Sequence, residues 1–371
     1  MKRIILSGGG TGGHIYPAVT IAREILAMES DADILFVGTA RGMESRIIPA
    51  EGFAFRSLPA AGIQRRLTLS NFKALGKAAG GLWKSRGILH DFKPDVVIGT
   101  GGYVCGPILM TAALSHIPTM IQEQNVIPGI TNKILSRVVD RVALGYEEAK
   151  SRFPHPEKCV FTGNPVRAAV TEVDRGAARK KLKISEDTFM VLAAGGSRGA
   201  RSINHAMQEV HRKFKDERNL CLYHVTGTDG FSAVKEALGD VTEDGRWGAA
   251  SRIISYEKDM PTALAAADLV IYRAGAVGLA ELSARGLASI LIPYPYAAED
   301  HQTYNARVFE KNGASIVISD KDLTGEALIS HIEELKNAPK RLSEMAKAAR
   351  KIGNIDAGRE LAQMALALAG R

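Results

Sequence analysis

The chain has 371 residues, 46% hydrophobic content and a formal charge of +8, a balance typical of a two-domain globular protein with an anionic partner. No apolar run approaches the roughly 18 residues that cross a bilayer, and the basic start is followed by too few apolar residues for a signal peptide, so a cytoplasmic protein is expected. The three cysteines, Cys105, Cys159 and Cys221, are far apart and favour neither a disulfide framework nor a thiolate metal site. Composition leaves nucleic acid, a phospholipid surface and a phosphorylated substrate open as the partner.

Short apolar runs alternate with helix-like stretches, beginning with a strand at 4–6 and a helical stretch at 18–28. Further strands are predicted at 34–37, 96–98, 119–121 and 141–144, and the pattern restarts at 189–193, 220–225, 269–272 and 289–292. Strands that alternate with helices imply parallel sheets covered on both faces. We therefore predict an α/β protein with two Rossmann-like domains facing a cleft, divided at the turn Gly163-Asn164-Pro165. The last segment is predicted to be an amphipathic helix, because it carries Leu361, Met364, Ala365 and Leu368 at helical spacing.

Three glycine clusters each follow an apolar run and precede a helix-like segment, at 8–14, 101–107 and 195–200. Glycine loops let backbone N–H groups approach a bulky anion, and the following helix directs its N–H groups and positive dipole end at it. Tight turns in an ordinary α/β protein are the alternative for any one cluster. Three clusters together favour substrates that carry phosphate.

The glycine clusters are part of a longer series of strings. The others are Glu123-Gln124-Asn125 with Pro128-Gly129, Gly163-Asn164-Pro165-Val166-Arg167, Arg273 with Gly275-Ala276 and Glu281, and Asp300-His301-Gln302-Thr303 with Asn305-Ala306. In this order and spacing the series resembles the MurG family of bacterial peptidoglycan glycosyltransferases over nearly the whole chain. Arg198, where many members have Gln, and Gly278-Leu279, where a Thr-Val pair is common, depart from the family pattern.

The resemblance implies a GT-B fold, in which residues 1–164 hold a lipid-linked acceptor, residues 165–351 hold the nucleotide sugar, and residues 352–371 return to the first domain. The implied reaction is inverting transfer of N-acetylglucosamine from UDP-N-acetylglucosamine to the muramyl 4-hydroxyl of lipid I, which forms lipid II. The implied location is peripheral, on the cytoplasmic face of the bacterial plasma membrane. A related enzyme that glycosylates a diacylglycerol or another isoprenoid is the alternative, and a nucleotide-sugar-binding protein without turnover is a third interpretation.

His14 closes the first glycine cluster at the start of a helix. The helix N-terminus disfavours the imidazolium, so a neutral ring can take the proton of an acceptor hydroxyl. With the resemblance, His14 is the predicted catalytic base, and binding the donor phosphate or orienting the loop is its alternative role. Gly102, Tyr103 and Glu123 are predicted at the acceptor, although each could equally be a turn residue. Asn125 is a candidate for the acceptor pocket and is predicted among the UDP-sugar contacts, with the same alternative.

Glu281 lies on a predicted helix beyond the strand at 269–272, where a carboxylate can accept hydrogen bonds from both ribose hydroxyls. A solvated helix glutamate is the alternative. Arg167 and Ser197 are predicted at the diphosphate, because guanidinium and loop N–H groups bind anions, and the amide of Gln302 suits the hydroxyls of the transferred sugar. The other predicted donor contacts are glycine-turn positions: Thr11, Gly12, Gly13, Gly275 and Ala276.

No metal or other cofactor is expected. Asp31-Ala32-Asp33 fits the Asp-x-Asp string of metal-dependent glycosyltransferases, but it precedes a strand, whereas ligands bind at the carboxyl ends of strands. Helix dipoles and Arg167 are expected to supply the positive charge for the leaving UDP. A dehydrogenase is disfavoured, because the first glycine cluster lacks a matching acidic residue at the end of the second strand.

Residues 63–90 carry six Lys or Arg and no Asp or Glu, interleaved with apolar side chains. This arrangement suits an anionic membrane surface, to which each base near the headgroups contributes about 1 kcal/mol. The predicted membrane contacts are Phe72, Lys73, Leu75, Lys77, Leu82, Trp83, Lys84 and Arg86. A solvated helix face with its apolar residues in the core is the alternative. Nucleic acid is disfavoured as a partner, because no recognised binding motif accompanies these charges.

Overall fold

The computed structural model describes residues 1–59 and 69–370, and for 69–79 it describes the backbone alone. The chain divides into two compact units. The first unit comprises Met1–Val166 and Ile355–Arg371, and the second unit comprises Arg167–Asn354. The sequence-based prediction puts these divisions after residues 164 and 351.

The first unit is built on a sheet of β1 (Arg3–Ser7), β2 (Asp33–Gly38), β3 (Ala54–Ser57), β4 (Val96–Gly99), β5 (Thr119–Glu123), β6 (Arg141–Leu144) and β7 (Cys159–Phe161). Its strand order is β3-β2-β1-β4-β5-β6-β7, and the pairs are parallel. The order reverses between β1 and β4, which makes a topological switch point, the place where open α/β sheets bind ligands. The first two glycine clusters follow these two strands and therefore flank the switch point.

The second unit repeats this plan with β8 (Phe189–Ala194), β9 (Leu220–Val225), β10 (Arg246–Trp247), β11 (Ser251–Ile254), β12 (Leu269–Tyr272), β13 (Ala288–Leu291) and β14 (Ser315–Val317). The order is β10-β11-β9-β8-β12-β13-β14, and only the short β10 pairs antiparallel among the described strands. The switch point lies between β8 and β12. The third glycine cluster follows β8, and the turn with Gly275 follows β12.

Helices cover both faces of each sheet. In chain order they are α1 (Gly12–Met28), α2 (Glu44–Ala50), α3 (Leu69–Phe92), α4 (Cys105–Leu114), α5 (Ile130–Leu135), α6 (Ala168–Glu172), α7 (Arg175–Leu182), α8 (Arg201–Lys213), α9 (Phe231–Leu238), α10 (Met260–Ala266), α11 (Ala276–Arg285), α12 (His301–Lys311), α13 (Gly325–Asn337), α14 (Pro339–Ile352) and α15 (Ala357–Ala369). Helix α1 extends the predicted stretch 18–28 back to Gly12, and its first three residues, Gly12, Gly13 and His14, carry no apolar signal.

Alternate side chains of one strand enter opposite cores. Ile4 lies in the core that contains α1 and α15, whereas Ile5 lies in the core that contains α4. A parallel sheet with helices on both faces requires this arrangement, so the predicted α/β class with two Rossmann-like units is confirmed. The amphipathic helix predicted at the end of the chain is also confirmed, since Leu361 and Leu368 are buried against α1. Within the described residues, no helix combines the length and apolarity needed to span a bilayer.

Candidate active site

The first glycine cluster joins β1 to α1 at the switch point of the first sheet. Gly10 has φ +85°, which favours glycine, and the Thr11 carbonyl accepts a hydrogen bond from His14 N at 3.1 Å. Gly12 and Gly13 are the first two residues of α1, and the N–H groups at the very start of an α-helix have no acceptor within it. An anion at this turn would meet those N–H groups and the positive end of the helix dipole.

The half-buried His14 ring is oriented by two oxygen atoms. Its Nδ1 lies 3.0 Å from the Thr100 carbonyl oxygen and 3.1 Å from Gln124 Oε1. Both oxygens are acceptors, so Nδ1 carries the proton and Nε2 has the lone pair of the neutral ring. Gly101, at φ +106°, makes room for the ring, because a Cβ there would lie 2.7 Å from His14 Nδ1. The geometry suits His14 for accepting a proton at Nε2.

The second glycine cluster packs directly on the first. A Cβ at Gly102 would lie 2.4 Å from the Gly9 carbonyl oxygen, and Gly9 N donates to the Gly101 carbonyl at 3.4 Å. Tyr103 follows in the chain and is 41% exposed, and its ring lies 3.9 Å from the point that a Gly10 Cβ would occupy. Tyr103 therefore lies against the loop that carries the predicted base, as a role at the same acceptor requires.

Glu44 is a loop-holding carboxylate that the sequence reasoning missed. It is 1% exposed, and its Oε2 accepts a hydrogen bond from Gly10 N at 3.1 Å. Its Oε1 accepts from Thr39 N at 2.9 Å and from Thr39 Oγ1 at 2.6 Å. Burial raises the pKa of Glu44, but these hydrogen bonds outweigh burial and hold the pKa below its ordinary value. The available signal was an acidic residue six positions beyond the second strand, at the start of a helix.

Glu123 is the last residue of β5, which extends two residues beyond the strand predicted at 119–121 and corrects that boundary. It is 2% exposed, and its carboxylate accepts hydrogen bonds from Asn125 N at 3.0 Å, Gly129 N at 3.0 Å and Asn132 Nδ2 at 2.9 Å. Glu123 therefore shapes the loop that carries the half-buried Asn125, and any effect on an acceptor passes through that loop. The strand continues beyond its last apolar residue, because Gln122 and Glu123 are polar yet buried.

In the second unit, two residues that were predicted to contact the UDP-sugar form an ion pair with each other. Arg167 Nη2 donates to Glu281 Oε1 at 2.7 Å, and the Arg167 side chain is 39% exposed. Burial raises the pKa of Glu281 above its ordinary value, and the Arg167 charge offsets part of the rise. Gly275 caps α11 and Ala276 begins it, so Glu281 lies on the helix that follows the switch-point strand β12.

The family departure at Gly278 has a local reason in α11. A Cβ at Gly278 would lie 2.7 Å from the Tyr272 ring, so a side chain there requires that ring to move.

Gln302 lies near the start of α12, and Tyr294 N donates to its Oε1 at 2.9 Å. With the oxygen engaged, the amide of Gln302 offers its NH2 group as a hydrogen-bond donor.

The third glycine cluster is tied to the loop that follows β9. Ser197 is exposed, and its carbonyl accepts a hydrogen bond from Thr228 N at 3.3 Å. Arg198, the other departure from the family pattern, pairs with Asp229 at 3.1 Å. A Cβ at Gly199 would lie 1.9 Å from the Thr226 carbonyl oxygen, so the two loops meet backbone to backbone.

A buried polar chain supports the same pair of loops and was not expected from the sequence. Ser251 Oγ lies 2.7 Å from His211 Nδ1, His211 Nε2 lies 3.1 Å from His224 Nδ1, and His224 Nε2 lies 3.0 Å from Asn204 Oδ1. Asn204 Nδ2 donates to the Thr226 carbonyl at 2.8 Å. Burial lowers the pKa of His224 to about 3 and that of His211 well below its ordinary value, so both rings are neutral.

The predicted membrane segment falls partly outside the described side chains, since those of Phe72, Lys73, Leu75 and Lys77 are not described. The other four predicted contacts, Leu82, Trp83, Lys84 and Arg86, are exposed on α3, and Trp83 is 82% exposed. Trp83, Lys84 and Arg86 line a groove of about 680 Å³ together with Arg56 of β3 and His90. This half of the helix thus presents aromatic and basic groups to solvent.

The rejected Asp-x-Asp string lies away from the switch point. Asp31 precedes β2 and pairs with the N-terminal amine of Met1 at 3.3 Å, and Asp33 is the first residue of β2. In the part of the chain that the structure describes, no three His, Cys, Asp or Glu side chains are grouped as metal ligands.

Two protein-family models match the chain. The glycosyltransferase family 28 N-terminal domain matches residues 4–144, and the glycosyltransferase family 28 C-terminal domain matches residues 190–361. Among solved structures, MurG of Acinetobacter baumannii has a TM-score of 0.77 and 26% sequence identity, covering 99% of this chain and 100% of that chain. The S. aureus MnaA-UDP co-structure, with a TM-score of 0.66 and 14% identity over 96% of this chain and 94% of that chain, shares the fold.

Two relatives are similar over nearly their whole length. One, from Thermoanaerobacter sp. (strain X514), is 48% identical over 359 residues, which cover 97% of this chain and 98% of the relative. The other, from Desulfitobacterium hafniense (strain Y51), is 46% identical over 366 residues, which cover 98% of each. Both are named UDP-N-acetylglucosamine--N-acetylmuramyl-(pentapeptide) pyrophosphoryl-undecaprenol N-acetylglucosamine transferase.

Proposed function

The chain belongs to glycosyltransferase family 28, and we propose that it is a UDP-N-acetylglucosamine-dependent transferase of peptidoglycan synthesis with a GT-B fold. It transfers N-acetylglucosamine to the muramyl 4-hydroxyl of lipid I, the pyrophosphoryl-undecaprenol acceptor, and forms lipid II. The names of relatives at 46% and 48% identity support this activity. The observation that carries the mechanism is the His14 ring at a sheet switch point, whose Nδ1 faces two acceptor oxygens, which leaves the lone pair of the neutral ring on Nε2.

The transfer makes one C–O bond and breaks one, and it moves one proton. The muramyl 4-oxygen bonds to C1 of N-acetylglucosamine on the face opposite the phosphate, and the C1–O bond breaks with its electron pair going to UDP. The hydroxyl proton moves to His14 Nε2, while Nδ1 keeps its own proton. The dipole of α1 disfavours an imidazolium before the reaction begins, which keeps the ring available as a proton acceptor.

The second unit binds the UDP-sugar in this proposal. Glu281 accepts hydrogen bonds from the ribose hydroxyls, and the NH2 group of Gln302 donates to the transferred sugar. Arg167, Ser197 and the N-termini of α8 and α11 stabilise the leaving diphosphate. With that charge supplied by the protein, the chemical step needs no divalent ion.

We further propose that the first unit docks on the cytoplasmic face of the plasma membrane, where the acceptor is embedded. The exposed Leu82 and Trp83 insert shallowly, while Lys84 and Arg86 contact anionic headgroups. The exposed Leu82 and Trp83 lie side by side with the exposed Lys84 and Arg86, and this combination supports a bilayer over a solvated helix face.

Acceptor-dependent release of UDP tests the reaction. UDP should appear from UDP-N-acetylglucosamine when lipid I or a short-chain analogue is added, and not with diacylglycerol. Release with diacylglycerol would favour the related lipid glycosyltransferase, and donor binding without release would favour a binding protein.

His14→Ala should lower turnover about 100- to 10,000-fold while UDP binding is retained, because that is the usual contribution of a general base. Wild-type turnover in this variant at saturating acceptor would remove His14 as the base.

A further inference from the structure

A chain of buried amides lies behind His14. Nδ1 of His14 is 3.1 Å from Gln124 Oε1, and Gln124 Nε2 donates to Gln122 Oε1 and, at 2.6 Å, to the Thr100 carbonyl. Gln122 Nε2 donates to Asn164 Oδ1 at 2.9 Å. Asn164 Nδ2 donates to the Gln124 main-chain carbonyl at 2.9 Å, which closes the chain. The residues come from α1, β5, the loop after β5 and the loop after β7, so the tertiary fold alone brings them together.

The direction of each hydrogen bond is fixed from the far end of the chain. A main-chain carbonyl only accepts, so Asn164 presents its NH2 group to that carbonyl and its oxygen to Gln122. Gln122 then presents its NH2 group to Asn164 and its oxygen to Gln124. Gln124 must in turn present its oxygen to His14, and an amide oxygen can accept only from a protonated Nδ1.

Burial prevents the amides from reversing. Gln122 is 0% exposed, Gln124 is 2% exposed and Asn164 is 6% exposed. Rotating any one of these amides by half a turn would bring two donors or two acceptors face to face where water has little access. A Cβ at Gly145 would lie 2.3 Å from Asn164 Oδ1, so glycine at this position leaves space for the amide.

We propose that Gln124, Gln122 and Asn164 are positioning residues that hold His14 in the Nδ1–H tautomer and thereby keep Nε2 as the proton acceptor. The inference rests on the proposed role of His14 as the base. The other tautomer carries hydrogen on Nε2 and could not take the proton of the muramyl hydroxyl.

The two partners of His14 Nδ1 carry no charge, and this affects the basicity of the ring. A carboxylate at Nδ1 would stabilise the imidazolium, whereas an amide oxygen and the Thr100 carbonyl orient the ring with less effect on its basicity. His14 is thus oriented by neutral acceptors, without the strong stabilisation of the imidazolium that a carboxylate would add.

Nitrogen NMR of the full-length chain labelled with ¹⁵N-histidine measures the tautomer directly. The His14 signals are assigned by their loss in His14→Gln. At neutral pH we expect a protonated Nδ1 and an unprotonated Nε2. A protonated Nε2 in the unaltered chain would overturn the proposal, and this measurement does not depend on any variant folding.

Two substitutions of Gln124 test the effect on catalysis. Gln124→Met keeps the side-chain length but removes the amide, and should lower kcat about tenfold with the donor KM within about twofold, the usual effect of one neutral hydrogen bond. Gln124→Glu should move the acid limb of the kcat/KM profile to higher pH by about one unit or more. Gln363→Met, at an exposed position on α15, is the matched control and should leave both quantities unchanged.

The outcomes separate this inference from the proposed function. If His14→Ala loses turnover while both Gln124 variants keep the wild-type kcat and pH profile, the positioning chain is wrong and the base stands. If His14→Ala keeps full turnover, the base assignment is wrong and the positioning role falls with it. Reduced kcat in Gln124→Met together with an upward shift in Gln124→Glu supports the inference.

Discussion

Replacing Glu44 by Gln would test whether one buried carboxylate holds the first glycine loop. The two oxygens of Glu44 accept from Gly10 N at 3.1 Å and from Thr39 N and Oγ1 at 2.9 and 2.6 Å. Glutamine keeps the shape and one oxygen, but its NH2 group must face either the Gly10 donor or the Thr39 donors. One set of hydrogen bonds is therefore lost, and two donors meet in a site that is 1% exposed.

The expected loss of stability in Glu44→Gln follows from these hydrogen bonds of Glu44. A hydrogen bond to a charged group contributes roughly 1.5 to 3 kcal/mol, so Glu44→Gln should lower the free energy of unfolding by about 2 to 3 kcal/mol at pH 7. The native hydrogen bonds outweigh burial and hold the pKa of Glu44 below its ordinary value of 4.5. The stabilisation is therefore fully present above about pH 4.5 and is lost as the pH falls through the lower native pKa. The difference between variant and wild type should shrink over that acidic range.

Urea unfolding at pH 7 and at a series of acidic pH values measures this difference. Glu51→Gln is the control, because Glu51 pairs with Arg23 at 2.6 Å on the surface, where such a pair contributes at most about 1 kcal/mol. A Glu44→Gln effect no larger than that of Glu51→Gln, or one that stays constant down to acidic pH, would refute the reasoning. Turnover should also fall in Glu44→Gln, since the loop it holds carries His14.

Three further outcomes are expected. Glu281→Ala should weaken UDP-N-acetylglucosamine binding roughly 10- to 150-fold, the equivalent of one charged hydrogen bond, and an unchanged affinity by calorimetry would contradict the ribose contact. UDP release with detergent-solubilised acceptor should persist in excess chelator, and a complete loss that added metal restores would show that a divalent ion is needed. Replacing Lys73, Lys77, Lys84 and Arg86 by Gln should reduce sedimentation with anionic vesicles and slow transfer to vesicle-held acceptor while sparing a soluble analogue. Equal effects on both acceptors would place this segment in the catalytic machinery instead.

Local patterns in the sequence determined the architecture and the place of the site. Short apolar runs between helical stretches predicted strands such as Ile4 to Leu6, because a parallel strand buried on both faces needs an unbroken apolar run. The glycine clusters marked the turns at both switch points, since positive φ values such as that of Gly10 favour glycine. The family motifs added His14 and Glu281, which lie on helices that begin at those turns.

The tertiary structure decided which side chains those turns hold. Glu44 reaches Gly10 from 34 positions away, and the side-chain amides of Gln122 and Asn164 meet 42 positions apart. Glu123 was predicted at the acceptor but is enclosed at the end of a strand. Such contacts carry no local period, because a buried polar side chain is stable only where distant segments supply its hydrogen-bond partners. The packing of separate strands and helices therefore determines the partners that fix the tautomer of the base and the shape of its loop.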